Sequence, residues 1–347
     1  MECSTKCLVK INYFISVLMG VISFCYDQQE GRIYNTPLVT IYNALASIAL
    51  FGLVPLFFRL DYNSEFLHMN INAVLVVIRT VGLLATVIFN WTKRQQLLAT
   101  LNEVHNIRQG YLQRWPLSAE LEKRYEYTIR QKLVSGFLTI TITTLSCFEY
   151  VKMQFELNSF YASIVTIVMC SFVHLVMMNY FLFMAHLNVI LRAINKELQK
   201  ILIFSTHLWQ LEKSQQMAGN LLKSKYCQMA QQLEELAKVQ HQLHVLGNRI
   251  NCMHEIQSLC IILMVYLVHL TMFYMTYLSL DKPQLLSEQF SLWTWLMVPL
   301  VLTIYYLDLI KFIQGIVEFQ ELSKETGELL GECQPLSPTM EVKLEDS

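Results

Sequence analysis

The chain of 347 residues is 54% hydrophobic and only 15% charged, and its mean hydropathy is +0.37. This composition lies outside the range of ordinary soluble domains and predicts an all-α polytopic membrane protein. The formal net charge is −1, so no electrostatic attraction to nucleic acid is expected. The nine cysteines include no CxxC pair, and most of them are interpreted as small buried apolar residues.

The first apolar segment, 7–24, is interrupted by Lys10 and has no convincing signal-peptide cleavage site. We therefore expect it to belong to the mature protein and to lie against the membrane or dip into it. About 20 apolar residues are needed to cross the hydrocarbon core as a helix. Six later segments meet that length and are predicted to span the membrane: 37–58, 71–91, 133–152, 158–184, 258–280 and 290–312.

Positive charge predicts the orientation of these spans, because Lys and Arg next to a span tend to stay in the cytoplasm. The connections 92–132 and 191–257 are rich in Lys and Arg and are placed inside. The links 59–70, 153–157 and 281–289 carry almost no positive charge and are placed outside. Both termini then lie in the cytoplasm. The alternative is seven spans with the N-terminus outside, which is the topology of a G-protein-coupled receptor.

This topology divides the chain into five parts. They are the N-terminal membrane-associated helix and link 1–36, the first four spans 37–190 with the connection 92–132, a cytoplasmic helical anchor 191–257, the spans 258–312, and a cytoplasmic stretch 313–347.

The connection 191–257 contains a heptad seam, in which apolar residues alternate spacings of four and three. Two interpretations are open: helices of one chain pack on each other through this seam, or the seam also contacts neighbouring subunits. The residues predicted to form such an anchor are Leu222, Met229, Leu233, Leu236, Leu243 and Ile250.

Polar residues inside spans indicate functional positions, because a charge in lipid is costly and faces a cavity or a partner. Together with nearby aromatic residues they predict a ligand pocket that opens to the outside and suits a small organic molecule. The pocket candidates are Arg79, Glu149, His174, Tyr266, His269, Phe273 and Trp295. Asp308 and Lys311, three residues apart, are expected to form a local ion pair.

Motifs of enzymes are missing from the sequence. It contains no GxxxxGK[ST], GxGxxG, GxSxG or HExxH pattern. We therefore expect no enzymatic activity, no cofactor and no metal site.

Three stretches carry a resemblance to a known family. VLGNRINCMHEIQSLCIILMVYLVHLTMFYMTYLSL (245–280) and LVLTIYYLDLIKFIQGIVEFQELSKETGELLGE (300–332), joined by a short link, resemble the C-terminal half of an insect gustatory receptor. GVISFCYDQQEGRIYNT (20–36) resembles the N-terminal stretch of fruit-fly members. The resemblance extends over essentially the whole chain.

The resemblance implies a tetrameric ligand-gated cation channel in the plasma membrane of sensory neurons. It would form homo- or hetero-tetramers with other gustatory receptors and detect sugars, bitter compounds or other contact chemicals without a G protein. Family members have seven spans, an inner N-terminus, a ligand pocket in the outer half of each subunit, and a last helix that lines the pore.

One family motif, Thr-Tyr followed by five apolar residues and Gln-Phe in the last span, is absent. Residues 313–347 match the lead-in to that span, so the sequence predicts a receptor that ends before the pore helix. A truncated product, a splice form and a regulatory subunit are the open interpretations. Outside the family, the alternatives are a G-protein-coupled receptor and, less favoured, a small-molecule transporter, for which the sequence shows no inverted repeat.

Overall fold

The computed structural model describes residues 3–26, 33–57, 67–153, 157–214, 219–281 and 292–333, and nearly all of them are helical. The all-α prediction is confirmed for these residues. The helices are α1 (Cys3–Leu18), α2 (Pro37–Phe57), α3 (Leu67–Thr92), α4 (Arg94–Arg114), α5 (Ala119–Met153), α6 (Leu157–Lys213), α7 (Gly219–Asp281) and α8 (Leu292–Cys333).

A small strand pair lies between α1 and α2 and adds a feature that the hydropathy pattern does not predict. β1 (Cys25–Tyr26) and β2 (Ile33–Tyr34) are antiparallel, with Cys25 opposite Tyr34. The side-chain amide of Asn102, in α4, donates to the Ile33 carbonyl at 2.9 Å and accepts from its N–H at 2.9 Å. The same amide thus satisfies both backbone groups of a strand residue that has no second neighbouring strand.

The turn after α1 depends on a glycine. Gly20 has φ +70°, and the N–H groups of Gly20 and Val21 donate to the carbonyls of Val17 and Ser16. This is the Schellman arrangement that satisfies the last carbonyls of a helix. A Cβ at position 20 would also lie 3.1 Å from the Cβ of Ala46, so both backbone conformation and space favour glycine.

The N-terminal helices bury polar side chains and expose apolar ones, which is the reverse of a soluble protein. α1 buries Asn12 and Ser16 and exposes Phe14, while α2 buries Asn43 and exposes Ile48. Apolar side chains cost nothing where the surroundings are lipid, whereas polar groups there need partners inside the protein. This distribution indicates that the outer surfaces of α1 and α2 face a membrane.

Three stretches of the described helices are long and apolar enough to cross a membrane: Pro37–Pro55, Ser163–Lys213 and Asn220–Thr271. A shorter apolar stretch covers Val77–Thr92. The chain is therefore a multi-pass helical membrane protein, as predicted. The total of six spans stays a prediction, because part of the 290–312 segment lies outside the described residues.

The chain divides into two compact units. The first comprises Met1–Asn102, Glu126–Leu182 and Asn251–Ile313, and the second comprises Glu103–Tyr125, Phe183–Ile250 and Gln314–Ser347. The second unit therefore gathers most of the two connections predicted to be cytoplasmic.

α6 supplies the densest part of the core in the first unit, where Met169, Phe172, Leu175 and Met178 are fully buried. A helix that is apolar on all sides is stable only when other helices surround it. In the same unit Asn12 donates to the Asn179 side chain at 2.7 Å, and Asn179 donates to Ser16 at 2.9 Å. These bonds hold the polar face of α1 on α6.

The second unit is built on close contact between α7 and α8. A Cβ at Gly247 would overlap the ring of the buried Phe319, and the His244 ring lies parallel to that ring at 6.5 Å. The unit also contains an ion pair between Arg192 and Glu318.

We expect Gly247→Ala to lower the free energy of unfolding by about 1–3 kcal/mol, because a methyl group forces the buried Phe319 ring out of place. Thermal unfolding of the purified protein measures this. Gly110→Ala is the matched control, since a Cβ there meets nothing within 4 Å, and it should be neutral or slightly stabilising. Equal transition temperatures for the two variants would contradict the close packing at Gly247.

Candidate ligand site

A cleft lies in the first unit where α3, α6 and α7 meet. Its walls are mostly aliphatic, and the residues that define its character are Arg79, Gly82 and Thr86 of α3, Phe172 of α6, and Gln257 and Cys260 of α7. The cleft has about 280 Å³ of empty space including its open side. It is narrow, apolar and carries few polar groups, as small-molecule sites do.

Helical spacing and one glycine create this cleft. Arg79, Gly82 and Thr86 recur at intervals of three and four and share one face of α3. A Cβ added at Gly82 would lie 3.4 Å from the Cβ of Cys260, an ordinary van der Waals contact. The empty position of Gly82 therefore provides the space between α3 and α7.

Arg79 is the charged group of the cleft. Its Nε is buried, and in the described part of the chain it has no hydrogen-bond partner. Among the described residues no carboxylate pairs with Arg79, and its side chain lines the cleft.

A buried ion pair joins α5 and α8 in the same unit. The Lys132 ammonium donates to Asp308 Oδ1 at 2.7 Å and to the Asp308 carbonyl at 3.0 Å, and the Ser135 hydroxyl donates to Oδ1 at 2.6 Å. The side chains of Lys132 and Asp308 are 0% and 1% exposed. The ammonium also lies 5.8 Å from the centroid of the Phe312 ring, a cation–π distance.

His174 of α6 completes this cluster. Its Nδ1 lies 3.7 Å from Asp308 Oδ2, which is too long for a hydrogen bond, and its ring meets the Tyr305 ring edge-on at 5.3 Å. The Tyr305 hydroxyl is 2.7 Å from the Thr143 hydroxyl of α5. The cluster therefore joins α5 and α8 through hydrogen bonds, and α6 packs against it through the His174 ring.

The prediction of an ion pair between Asp308 and Lys311 is wrong. Asp308 is buried between α5 and α6, where the ammonium of Lys132 reaches it, whereas Lys311 is only half-buried. Lys132 belongs to the connection 92–132 whose positive charge predicts a cytoplasmic location, yet its side chain is fully buried.

The other predicted pocket residues whose side chains are described are not among the residues that line the cleft. Tyr266 and Phe273 are 64% and 65% exposed on α7. His269 is half-buried, donates from Nδ1 to the Val265 carbonyl at 2.7 Å and lies 6.0 Å from the Tyr306 ring. The side chains of Glu149 and Trp295 lie outside the described residues. Of the five candidates whose side chains the structure describes, Arg79 lines the cleft and His174 belongs to the ion-pair cluster.

The predicted anchor residues pack within one chain. Leu222 and Met229 form a cluster with Leu208 and Tyr226 in the second unit. Leu236, Leu243 and Ile250 are also buried, and Leu233 is half-buried. The first interpretation, packing of helices on each other, accounts for this burial. Contact of the seam with other subunits stays a prediction.

Gly82, Gln257 and Cys260 of the cleft were not predicted from the sequence. Gln257 stands one residue before the predicted span 258–280, outside the segments in which polar residues indicate function. A signal was available, because Gln257, Cys260, Ile261 and Met264 follow the spacing of one helix face and include a polar residue.

Comparison with known proteins places this architecture in a class. The sequence matches the family described as 7tm Chemosensory receptor over residues 9–346. The chain belongs to that family of multi-pass receptors and is not an enzyme.

Among individual proteins, the chain is 22% identical to "Putative gustatory receptor 36b" of Drosophila melanogaster over 351 residues, which cover 98% of this chain and 85% of the relative. It is also 22% identical to "Putative gustatory receptor 36c" of the same organism over 346 residues, covering 96% and 84%. The resemblance to insect gustatory receptors is thereby confirmed.

Breaking the buried ion pair should destabilise the receptor. We expect Lys132→Met or Asp308→Leu to lower the free energy of unfolding by about 3–5 kcal/mol, because each leaves a buried charge without its partner. The double variant Lys132→Met with Asp308→Leu should recover most of this loss, since it removes both charges. Thermal unfolding in detergent provides the measurement.

Lys238→Ala serves as the control, because its ion pair with Glu234 is exposed on α7 and should leave the transition unchanged. A double variant as unstable as the two single variants combined would show that the two groups act independently, contrary to this expectation.

Proposed function

We propose that this chemoreceptor detects small contact chemicals, such as sugars or bitter compounds, as a subunit of a ligand-gated cation channel. The cleft between α3, α6 and α7 is the observation that supports a small-molecule ligand, since it is apolar, narrow and carries one cation. Membership of the chemosensory family supports the sensory role. The subunit assembles into a tetramer with copies of itself or with other gustatory receptors, in the plasma membrane of sensory neurons.

α6 links binding to the rest of the first unit in this proposal. Phe172 and Val176 line the cleft, and His174, between them on the same helix, faces Asp308. A ligand that shifts α6 by a fraction of an ångström changes the separation between His174 and Asp308. Such a shift alters the packing of α6 on α8 and provides a route from ligand to helix movement.

Filling the cleft should reduce the response. Gly82→Leu places a branched side chain where the ligand would lie, and we expect a concentration for half-maximal response raised roughly tenfold or more. Gly82→Ala adds only one methyl group at ordinary contact distance and should change the concentration for half-maximal response little. Calcium imaging of cells that express the receptor, alone and with another family member, measures responses to sugars, bitter alkaloids and small organic acids.

Surface labelling has to show equal amounts of both variants in the plasma membrane. A Gly82→Leu receptor that reaches the surface and responds like the unaltered receptor would place the ligand elsewhere.

The proposed orientation of the spans has a test in glycosylation. The sequon Asn90-Trp91-Thr92 lies at the end of the 71–91 span that we assign to the cytoplasm. The Asn90 side chain is buried and donates to the carbonyls of Gly20 and Val21 at 3.3 and 3.0 Å. We therefore expect no glycan on Asn90, and endoglycosidase should leave the mobility of the protein unchanged.

Glu65→Thr is the positive control for this test. The substitution puts a threonine two positions after Asn63 and so creates an acceptor sequon in the link 59–70, which we assign to the outside. This variant should gain one glycan. A glycan on Asn90, with none on Asn63 in the variant, would reverse the orientation.

A further inference from the structure

Arg79 is a cation deep in a predicted span. It lies eight residues from the nearer end of the 71–91 segment, roughly 12 Å along a helix, which is farther than its side chain can reach. A charge at this depth is retained only if an anion, a dipole or water compensates it. The described residues supply no carboxylate for Arg79, and its Nε is buried without a hydrogen bond among them.

The rest of the cleft is suited to an anionic ligand group as well. The Thr86 hydroxyl donates its single proton to the Gly82 carbonyl at 2.8 Å, so the donors for an anion come from other side chains. Gln257 brings a second side chain with N–H donors, and no Asp or Glu is among the described lining residues. A carboxylate entering this cleft meets a guanidinium, whose planar fork binds both carboxylate oxygens at once.

Exposed apolar side chains stand next to the lining residues on α3 and α7. Val77 and Val81 of α3 are exposed, each one position before a lining residue, and Ile256 and Leu259 of α7 occupy the equivalent positions on their helix. α3 and α7 run antiparallel in the predicted topology, so these two exposed stripes flank the same side of the cleft. A hydrocarbon chain that leaves the cleft there lies against apolar side chains on both helices.

We propose that the cleft binds the carboxylate of a small monocarboxylic amphiphile, with the carboxylate on Arg79 and the hydrocarbon chain between the exposed stripes of α3 and α7. This inference rests on the proposed function, since it names the ligand class of the receptor's own cleft. The charge of Arg79 selects the acid over the neutral alcohol of the same length.

Cys260 allows ligand binding to be measured without any channel current, because its thiol lines the cleft. The purified full chain is placed in nanodiscs of neutral phosphatidylcholine and treated with N-ethylmaleimide, and alkylation of Cys260 is followed by peptide mass spectrometry. Octanoate and octanol are titrated at pH 7.4. Cys252, exposed on the same helix, serves as the internal reference for general reactivity.

We expect octanoate to protect Cys260 at a concentration about tenfold or more below that needed for octanol, as a charge-assisted hydrogen bond would give. In the Arg79→Gln variant, octanoate and octanol should protect Cys260 at similar concentrations. Arg79→Lys is the matched variant, which keeps the positive charge and should keep the preference for octanoate. Cys252 reactivity and thermal unfolding verify that each variant is folded.

Equal protection by both compounds, no protection by either, or a preference that survives Arg79→Gln would overturn the inference. A preference for octanoate that appears only in the Glu149→Gln variant would overturn the inference too. It would mean that the Glu149 carboxylate pairs with Arg79 in the unaltered chain. Protection by phosphatidic acid in the nanodiscs, with none by octanoate, would assign the cleft to a membrane lipid. A preference for octanoate without any ligand-gated current would support this inference and reject the proposed channel activity.

Discussion

The ion pair between Lys132 and Asp308 is the interaction on which the first unit depends. Two charges that are almost completely excluded from solvent are unfavourable unless each is fully compensated. Compensation comes from three directions: the Ser135 hydroxyl, the Asp308 backbone carbonyl and the Phe312 ring. Together these contacts favour one register of α5 against α8.

The cleft depends on that register indirectly. α6 lies against the ion pair through His174, and its neighbouring residues Phe172 and Val176 line the cleft with α3 and α7. One side of α6 therefore contacts the ion pair through His174, and another side of the same helix lines the cleft. Gly82 leaves the space that α6 and α7 alone would not provide. Arg79 gives that space its charge.

The class of fold could be predicted from the sequence because hydropathy over 20 residues is a strong and local signal. The partner of Asp308 could not be predicted from the sequence. Lys311 is near Asp308 in the sequence, whereas Lys132 lies 176 residues away and stands beside a predicted span. The directions of Tyr266 and Phe273 could not be predicted either. In a helix that is apolar on all sides, periodicity does not distinguish the buried face from the lipid face.

Arg79 could be identified as a functional candidate because a charge within a span is rare whatever its direction. Gln257 and Gly82 gave no such signal. One stands just outside a span, and the other contributes by having no side chain. The charge of the cleft could therefore be predicted from the sequence, whereas its shape could not.

The hydrogen bond between Asn12 and Asn179 has a consequence for how the chain is made. The two residues are 167 positions apart, and ribosomes add about 5–20 residues per second. Roughly 10 to 30 seconds therefore pass between the synthesis of α1 and that of its partner on α6. Until then the amide of Asn12 depends on water or on the insertion machinery, so α1 completes its docking only after α6 has been synthesised.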